Sequence, residues 1–201
     1  MNEGLIVDLF VEDRAHEDFI GALLRRIARQ EQRQLQLRPR AARGGYPRVL
    51  HELALYQKLV LKGAAGMRLP DVLVVAVDAN CHGLAARKKA IRQRLEKTFK
   101  GRTVLAVPDP HVERWYLSDR LAFKQVVGIQ PPAERRKCER GRYKRILAQA
   151  VRDGGNPAIL GGIEFAKELA EGMDFYRAGS AEPGLRQFVH DAISAFRLAV
   201  R

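Results

Sequence analysis

Cysteine is nearly absent from this chain: only Cys81 and Cys138 occur in 201 residues, with no CxxC spacing. A disulfide framework and a cysteine-built zinc site are therefore excluded, and a reducing compartment is expected. No apolar run approaches about 18 residues, so no spanning helix is expected and a membrane is not a partner. The segment Met1 to Asp13 carries acids where a secretory leader would carry Lys or Arg, which leads us to expect a cytoplasmic protein. No GxxxxGK[ST] phosphate loop is present. Gly44-Gly45 and Gly154-Gly155 read as turns, and ATP hydrolysis by this chain is not expected.

Acids are the minority charge, 23 against 36 Lys and Arg, for a net +13. They are also unevenly placed. Met1 to Leu24 holds six acids and one base, so the remainder carries +18. The bases concentrate in Arg25 to Arg48, Arg87 to Arg102 and Arg135 to Arg145. Such a surface attracts polyanions through phosphate neutralisation and counterion release, although a basic face can also be merely solvated. Hydrophobic residues make up 46 % of the chain, enough for a core without covalent help.

The hydrophobic pattern alternates strand and helix. Gly4 to Val11 reads as a buried strand, and the helical spacing of Phe19, Ile20, Leu23, Leu24 and Ile27 predicts a helix over about 15–34. A short strand at Leu35 to Pro39 and a helix over 48–61 follow. Val72 to Val77 is a continuous apolar run typical of a central parallel strand. A long basic helix over 84–99 closes at Gly101. A strand at 103–107 then runs into a helix in which Asp109 would be the N-cap and Pro110 the first residue. Beyond Gln130-Pro131-Pro132, helices are expected over about 138–152, 162–172 and 184–198. The expected fold class is therefore α/β, a Rossmann-like and mostly parallel sheet over residues 1–126, with a helical C-terminal extension, 127–201, packed on it.

Glu12, Asp78 and Glu113 each follow the C-terminal end of an apolar strand. In a parallel sheet those ends share one edge, where α/β ligand sites form. Any single strand-end acid can equally be a helix N-cap, but three on one edge of a basic protein point to a site. Converging carboxylates raise one another's pKa unless a cation intervenes, and Mg²⁺ (or Mn²⁺) suits carboxylates, water and phosphate oxygens. His16 reads as a metal ligand, a proton shuttle or a helix-surface residue. His111 reads as a first-turn surface residue within reach of phosphate, and Trp115 and Tyr116 as core. Cys81-His82 lacks the base and oxyanion site that a thiolate nucleophile needs. Arg87, Lys88, Arg92 and Arg142 are the candidate phosphate contacts.

At these residues the chain resembles the toprim proteins. Val11-Glu12-Asp13-Arg14-Ala15-His16-Glu17-Asp18-Phe19 is similar to the first toprim motif, and Val77-Asp78-Ala79-Asn80 to the Asp-x-Asp motif. Pro108 to Leu117 resembles the third acidic segment of stand-alone bacterial toprim proteins akin to the OLD-type nucleases, where a Glu precedes Trp-x-Leu. Phe165 to Ala170 and Pro183 to Phe188 are similar to their helical C-terminus. The resemblance implies catalysis of nucleic-acid phosphodiester hydrolysis by Glu12, Asp78 and Glu113. It also implies Glu12, Asp78, Asn80 and Glu113 as metal ligands, with His16 and Glu17 as additional candidates.

Three positions depart from that pattern: Asp13 replaces a glycine, His16 falls where a second acid is common, and Asn80 replaces an aspartate. Asn80 offers a carbonyl oxygen without charge, so the metal would be held less tightly. By the same analogy the partners are DNA or RNA and an ATPase of the ABC or AAA type in phage defence, with homo-oligomers open. The alternative is a module with a weakened site that acts as a nucleic-acid- or ATPase-binding adaptor. A receiver-like phosphoacceptor fits poorly, since no Lys follows the strand that ends at Val107.

Overall fold

The computed structural model describes residues 4–42, 44–134, 138–139 and 141–199. Four strands, β1 (Leu5–Val11), β2 (Leu35–Ala41), β3 (Val72–Ala76) and β4 (Thr103–Ala106), form one sheet in the order β2-β1-β3-β4. Every pairing is parallel. The fold is thus the α/β, Rossmann-like class expected from the apolar runs. The chain steps from β1 outward to β2, then returns past β1 to β3. Strand order reverses between β1 and β3, the place beyond the carboxyl ends where open α/β sheets commonly bind ligands.

Side chains alternate across the sheet and supply two cores. Val7, Leu9, Val11, Val74 and Ala106 face α1 (Arg14–Gln30). Phe10, Leu73, Val75 and Leu105 face α2 (Tyr46–Leu61) and α3 (Leu84–Gln93). The first core continues without a break into Phe123, Leu147, Leu169, Phe188 and Phe196, so residues on both sides of the 126–127 boundary share it. Among the described residues no helix is long and apolar enough to cross a membrane.

Two helices differ from expectation for identifiable reasons. The single helix expected over 84–99 is divided into α3 and α4 (Lys97–Lys100). The fully buried Gln57 stabilises the break: its Oε1 accepts from Glu96 N at 2.8 Å and its Nε2 donates to Arg94 O at 3.0 Å. The helix expected to begin at Pro110 begins instead at Glu113, as α5 (Glu113–Tyr116). Residues 108–112 form bends and a turn instead of helix because their backbone is held elsewhere. Ala79 N donates to Pro108 O at 2.8 Å, Asn80 N to Pro110 O at 3.1 Å, and Val112 N to Asp78 Oδ1 at 2.8 Å.

The remaining helices are α6 (Arg120–Val127), α7 (Arg142–Asp153), α8 (Ala166–Gly172), α9 (Phe175–Ala181) and α10 (Pro183–Leu198). Buried Asp119 ties two of them together. It caps α6 through Leu121 N and Ala122 N, accepts from Asp174 N, and binds the Arg177 guanidinium of α9. β2 extends through Pro39 to Ala41, two residues beyond the expected end. Proline is tolerated there because β2 is an edge strand.

Candidate acidic site at the carboxyl edge of the sheet

The chain leaves β1 with Glu12 N donating to Ala76 O at 3.2 Å, so the Glu12 side chain emerges beside β3. Its Oε2 accepts from Asp78 N at 3.1 Å. Asp13 then caps α1, accepting from His16 N at 3.1 Å and from His16 Nδ1 at 2.8 Å. An acid at position 13 thus serves as the N-cap of α1.

His16 is completely buried, and its Nε2 lies 3.1 Å from Asp78 Oδ1 without hydrogen-bond alignment. Burial opposes charge on this ring, but the Asp78 carboxylate and the bond to Asp13 push its pKa up to about 10. His16 is therefore a buried imidazolium between two carboxylates. Its role as a bare surface residue is excluded. Asp13 answers in kind: against the effect of burial, the His16 bond brings it down to about 2.

Asp78 is the hub. Beyond the His16 contact and Val112 N, its Oδ2 lies 2.9 Å from His111 Nδ1. Burial alone would raise its pKa, yet the His16 charge and the His111 bond hold it below the usual carboxylate range. His111, read from sequence as first-turn surface, thus belongs to the cluster, and its pKa is raised chiefly by that bond. Carboxylate oxygens carry two lone pairs each, so Asp78 keeps acceptor capacity mainly on Oδ2.

Glu113 opens α5 and is 2 % exposed. Its Oε2 is buried without a hydrogen-bond partner, and its Oε1 lies 3.8 Å from Lys144 Nζ. Burial first, and the Asp78 charge second, raise the pKa values of both Glu113 and Glu12. Glu12 and Glu113 therefore each feel the Asp78 charge. Lys144, on α7, acts electrostatically on Asp13, His111 and Glu113 alike. Sequence reasoning missed it because it was one base among many in its segment, and only the packing of α7 against α5 singles it out.

The other candidates lie at varying distances from this hub. Asn80 turns in left-handed backbone, φ 48°, two residues after it. Glu17 lines a separate groove with Asp18 and Arg25. Two of the expected phosphate contacts are engaged within the chain: Arg87 is buried, donates to Ala79 O at 3.2 Å and stacks over Tyr46, while Arg142 is bound by Glu134 and Glu139. Lys88 is half-buried, with its pKa lowered by that burial, and Arg92 is exposed. Trp115 and Tyr116 are core, the latter donating to Ala15 O at 2.9 Å.

Among the described residues no group of three or more His, Cys, Asp or Glu side chains is arranged to hold a metal ion. Glu12 and Glu113 are the carboxylates with capacity for one, and the orphaned Glu113 oxygen suits a hard cation in kind.

The buried imidazolium makes stability depend on pH in a defined sense. His16 binds its proton more tightly folded than unfolded, so its contribution is complete below pH 6.5 and is lost as pH rises through about 10. Asp13 contributes above pH 3.8 and is lost as pH falls through about 2. Urea midpoints should therefore decline from pH 6.5 toward 10 in the wild type, and His16→Gln should flatten that limb. Compared with protein-family models, with characterised proteins and with solved structures, the chain matches none of them.

Proposed function

We propose that this chain is a metal-dependent phosphodiester hydrolase of the toprim type, acting on DNA or RNA, with Glu12, Asp78 and Glu113 at its centre. One observation carries the reading. Asp78, at the carboxyl edge of the sheet, acts electrostatically on Glu12 on one side and on Glu113 on the other, and Glu113 keeps a buried oxygen without a hydrogen-bond partner. When bound, Mg²⁺ or Mn²⁺ supplies polarisation of a phosphoryl oxygen and activation of water. A cage of protein ligands is not needed for this, since Mg²⁺ is commonly held by one or two carboxylates, waters and substrate phosphate.

In this scheme Glu12 and Glu113 would hold the cation. Asp78, committed to His16, His111 and Val112 N, is a positioning residue that fixes the two histidines. His111 is the more exposed of the two and offers a proton to a phosphate or leaving oxygen. Lys144 balances the negative charge that gathers around Glu113. Partnership with an ATPase in phage defence rests on the resemblance alone.

A second reading, a binding adaptor with a weakened site, is favoured by one specific feature. The His16 imidazolium already neutralises Asp78, in the place where a cation would otherwise be wanted. Plasmid nicking with Mg²⁺ or Mn²⁺, alongside cleavage of a labelled RNA, separates the two. We expect cutting by the wild type that disappears in Glu12→Ala and in Asp78→Ala. Equal residual cutting in both variants would identify a contaminant and overturn the hydrolase reading. Binding without cutting in the wild type would favour the adaptor.

A further inference from the structure

The sheet has two edges, β2 and β4. β4 is four residues long and α10 packs against it, whereas β2 runs for seven. Leu5 N donates to Gln34 O and Ala42 N to Val11 O, so the even-numbered residues of β2 bond to β1. Alternation then turns the backbone groups of Leu35, Leu37, Pro39 and Ala41 away from the sheet. Among the described residues no backbone hydrogen bond reaches them from outside it. Pro39 costs the sheet nothing, since its missing N–H lies on this open side.

Two grooves flank this edge and meet at Pro39. One, of about 530 Å³, lies on the α1 face and is lined by Leu37, Leu160 and Ile163. The other, of about 340 Å³, lies on the α2 face and is lined by Leu55, Leu59 and Met67. Leu160 is 42 % and Leu55 46 % exposed, so apolar surface brackets the open backbone on both faces. Charge is balanced here, in contrast to the chain as a whole. Four bases and four acids line the first groove, and Arg40 and Glu52 the second. A polyanion finds no net attraction at such a surface, and a second copy of this +13 chain meets no local repulsion.

We propose that β2 pairs antiparallel with β2 of a second copy, about a two-fold axis at Leu37, so that two four-stranded sheets become one. This register employs the open groups well. The two Leu37 residues exchange both their bonds, and each Leu35 N donates to Pro39 O across the axis. It also sets Gln36 opposite the partner's Arg38 on the α2 face, where no like charges meet. An axis at Arg38 would instead oppose two guanidinium groups, and an axis at Pro39 would lose the central bonds. Because the two sheets run in opposite directions, the acidic centres open at opposite ends of the assembly. The pairing is independent of the hydrolase reading.

Sedimentation velocity of the full chain over about 1–100 μM tests the pairing, and the wild type should pass from monomer to dimer in that range. Gln36 is exposed in the single chain, so its substitution leaves the fold intact. Gln36→Arg opposes like charges twice per dimer and should weaken association about tenfold. Gln36→Glu faces Arg38 across the axis and should tighten it about threefold. Lys89→Glu, on the exposed surface of α3, lowers the net charge further than Gln36→Glu does and should leave association within about twofold. Hydrogen exchange reads the register: the Leu37 amide should exchange freely in dilute protein and become protected as concentration rises. A monomer throughout, or a dimer indifferent to both Gln36 variants, would overturn the pairing and leave the edge to a strand of another protein. Tightening by Lys89→Glu as large as that by Gln36→Glu would assign the effect to net charge and overturn it as well.

Discussion

Glu113→Gln is expected to lower Mg²⁺-dependent cleavage by about a hundredfold or more while leaving the melting temperature unchanged or higher. The two effects have one cause. Glu113 is buried beside the negative Asp78, so its charge is disfavoured in the folded protein and its pKa is raised. An uncharged amide of the same shape relieves that penalty. It also removes the anionic oxygen that a cation or developing positive charge would use, and deletion of one such preorganised group typically costs about 10²–10³ in rate. Loss of activity with retained or improved stability marks a group kept for function at the expense of the fold.

Asp78→Asn should behave oppositely on the second axis. Asn keeps the shape but no longer neutralises the buried His16 imidazolium, so activity and stability should fall together. Nicking rates set beside urea midpoints for both variants resolve the pair. If Glu113→Gln lost stability as Asp78→Asn does, Glu113 would be a structural acid and the centre would lose a member.

Much of this architecture was legible because burial on both faces leaves a plain signature. Val72 to Val77 admits no amphipathic alternative, and a central parallel strand follows. The acids at strand ends were legible for the same reason, since topology rather than side-chain geometry brings them to one edge. What escaped notice depends on contacts between distant segments. The break after α3 needs Gln57, about 40 residues earlier, to satisfy Arg94 and Glu96. The non-helical path to Glu113 needs Asp78 to take Val112 N. His111 looked like surface because a helix starting at Pro110 would have pointed it outward. Once the helix starts three residues later, the same ring meets Asp78. Lys144 and Asp119 carried no local signal at all, for their partners lie on other helices.

Asp8 shows the same blindness at its greatest expected cost: Asp8→Ala should destabilise the protein by about 3 kcal/mol, measured by urea denaturation. In sequence, Asp8 is one polar residue in an apolar strand. In the fold it is fully buried in β1, facing α2. Its carboxylate accepts from the Tyr56 hydroxyl and from Arg38 Nε, with Arg40 Nε at 3.5 Å. Burial and the bond to Asp8 raise the Tyr56 pKa. Removing the acid would strand that hydroxyl and leave two guanidinium groups without their common partner, a penalty that water reaching the half-exposed Arg38 only partly relieves. Asp8→Asn, which retains an acceptor, should cost less than Asp8→Ala. Pairing either with Tyr56→Phe should give a coupling of about 0.5–3 kcal/mol.

Asp8 also fixes register. It lies opposite Arg38 in the β1–β2 ladder, and a slip of one residue would turn that arginine toward the other core. The ladder that seats Asp8 continues to Val11, and Glu12 is the next residue, so the same network decides where the first acid of the site emerges. Cleavage per folded molecule should therefore remain normal in Asp8→Ala at low denaturant, where the native register persists. A drop in rate that precedes unfolding would mean that the register itself had shifted.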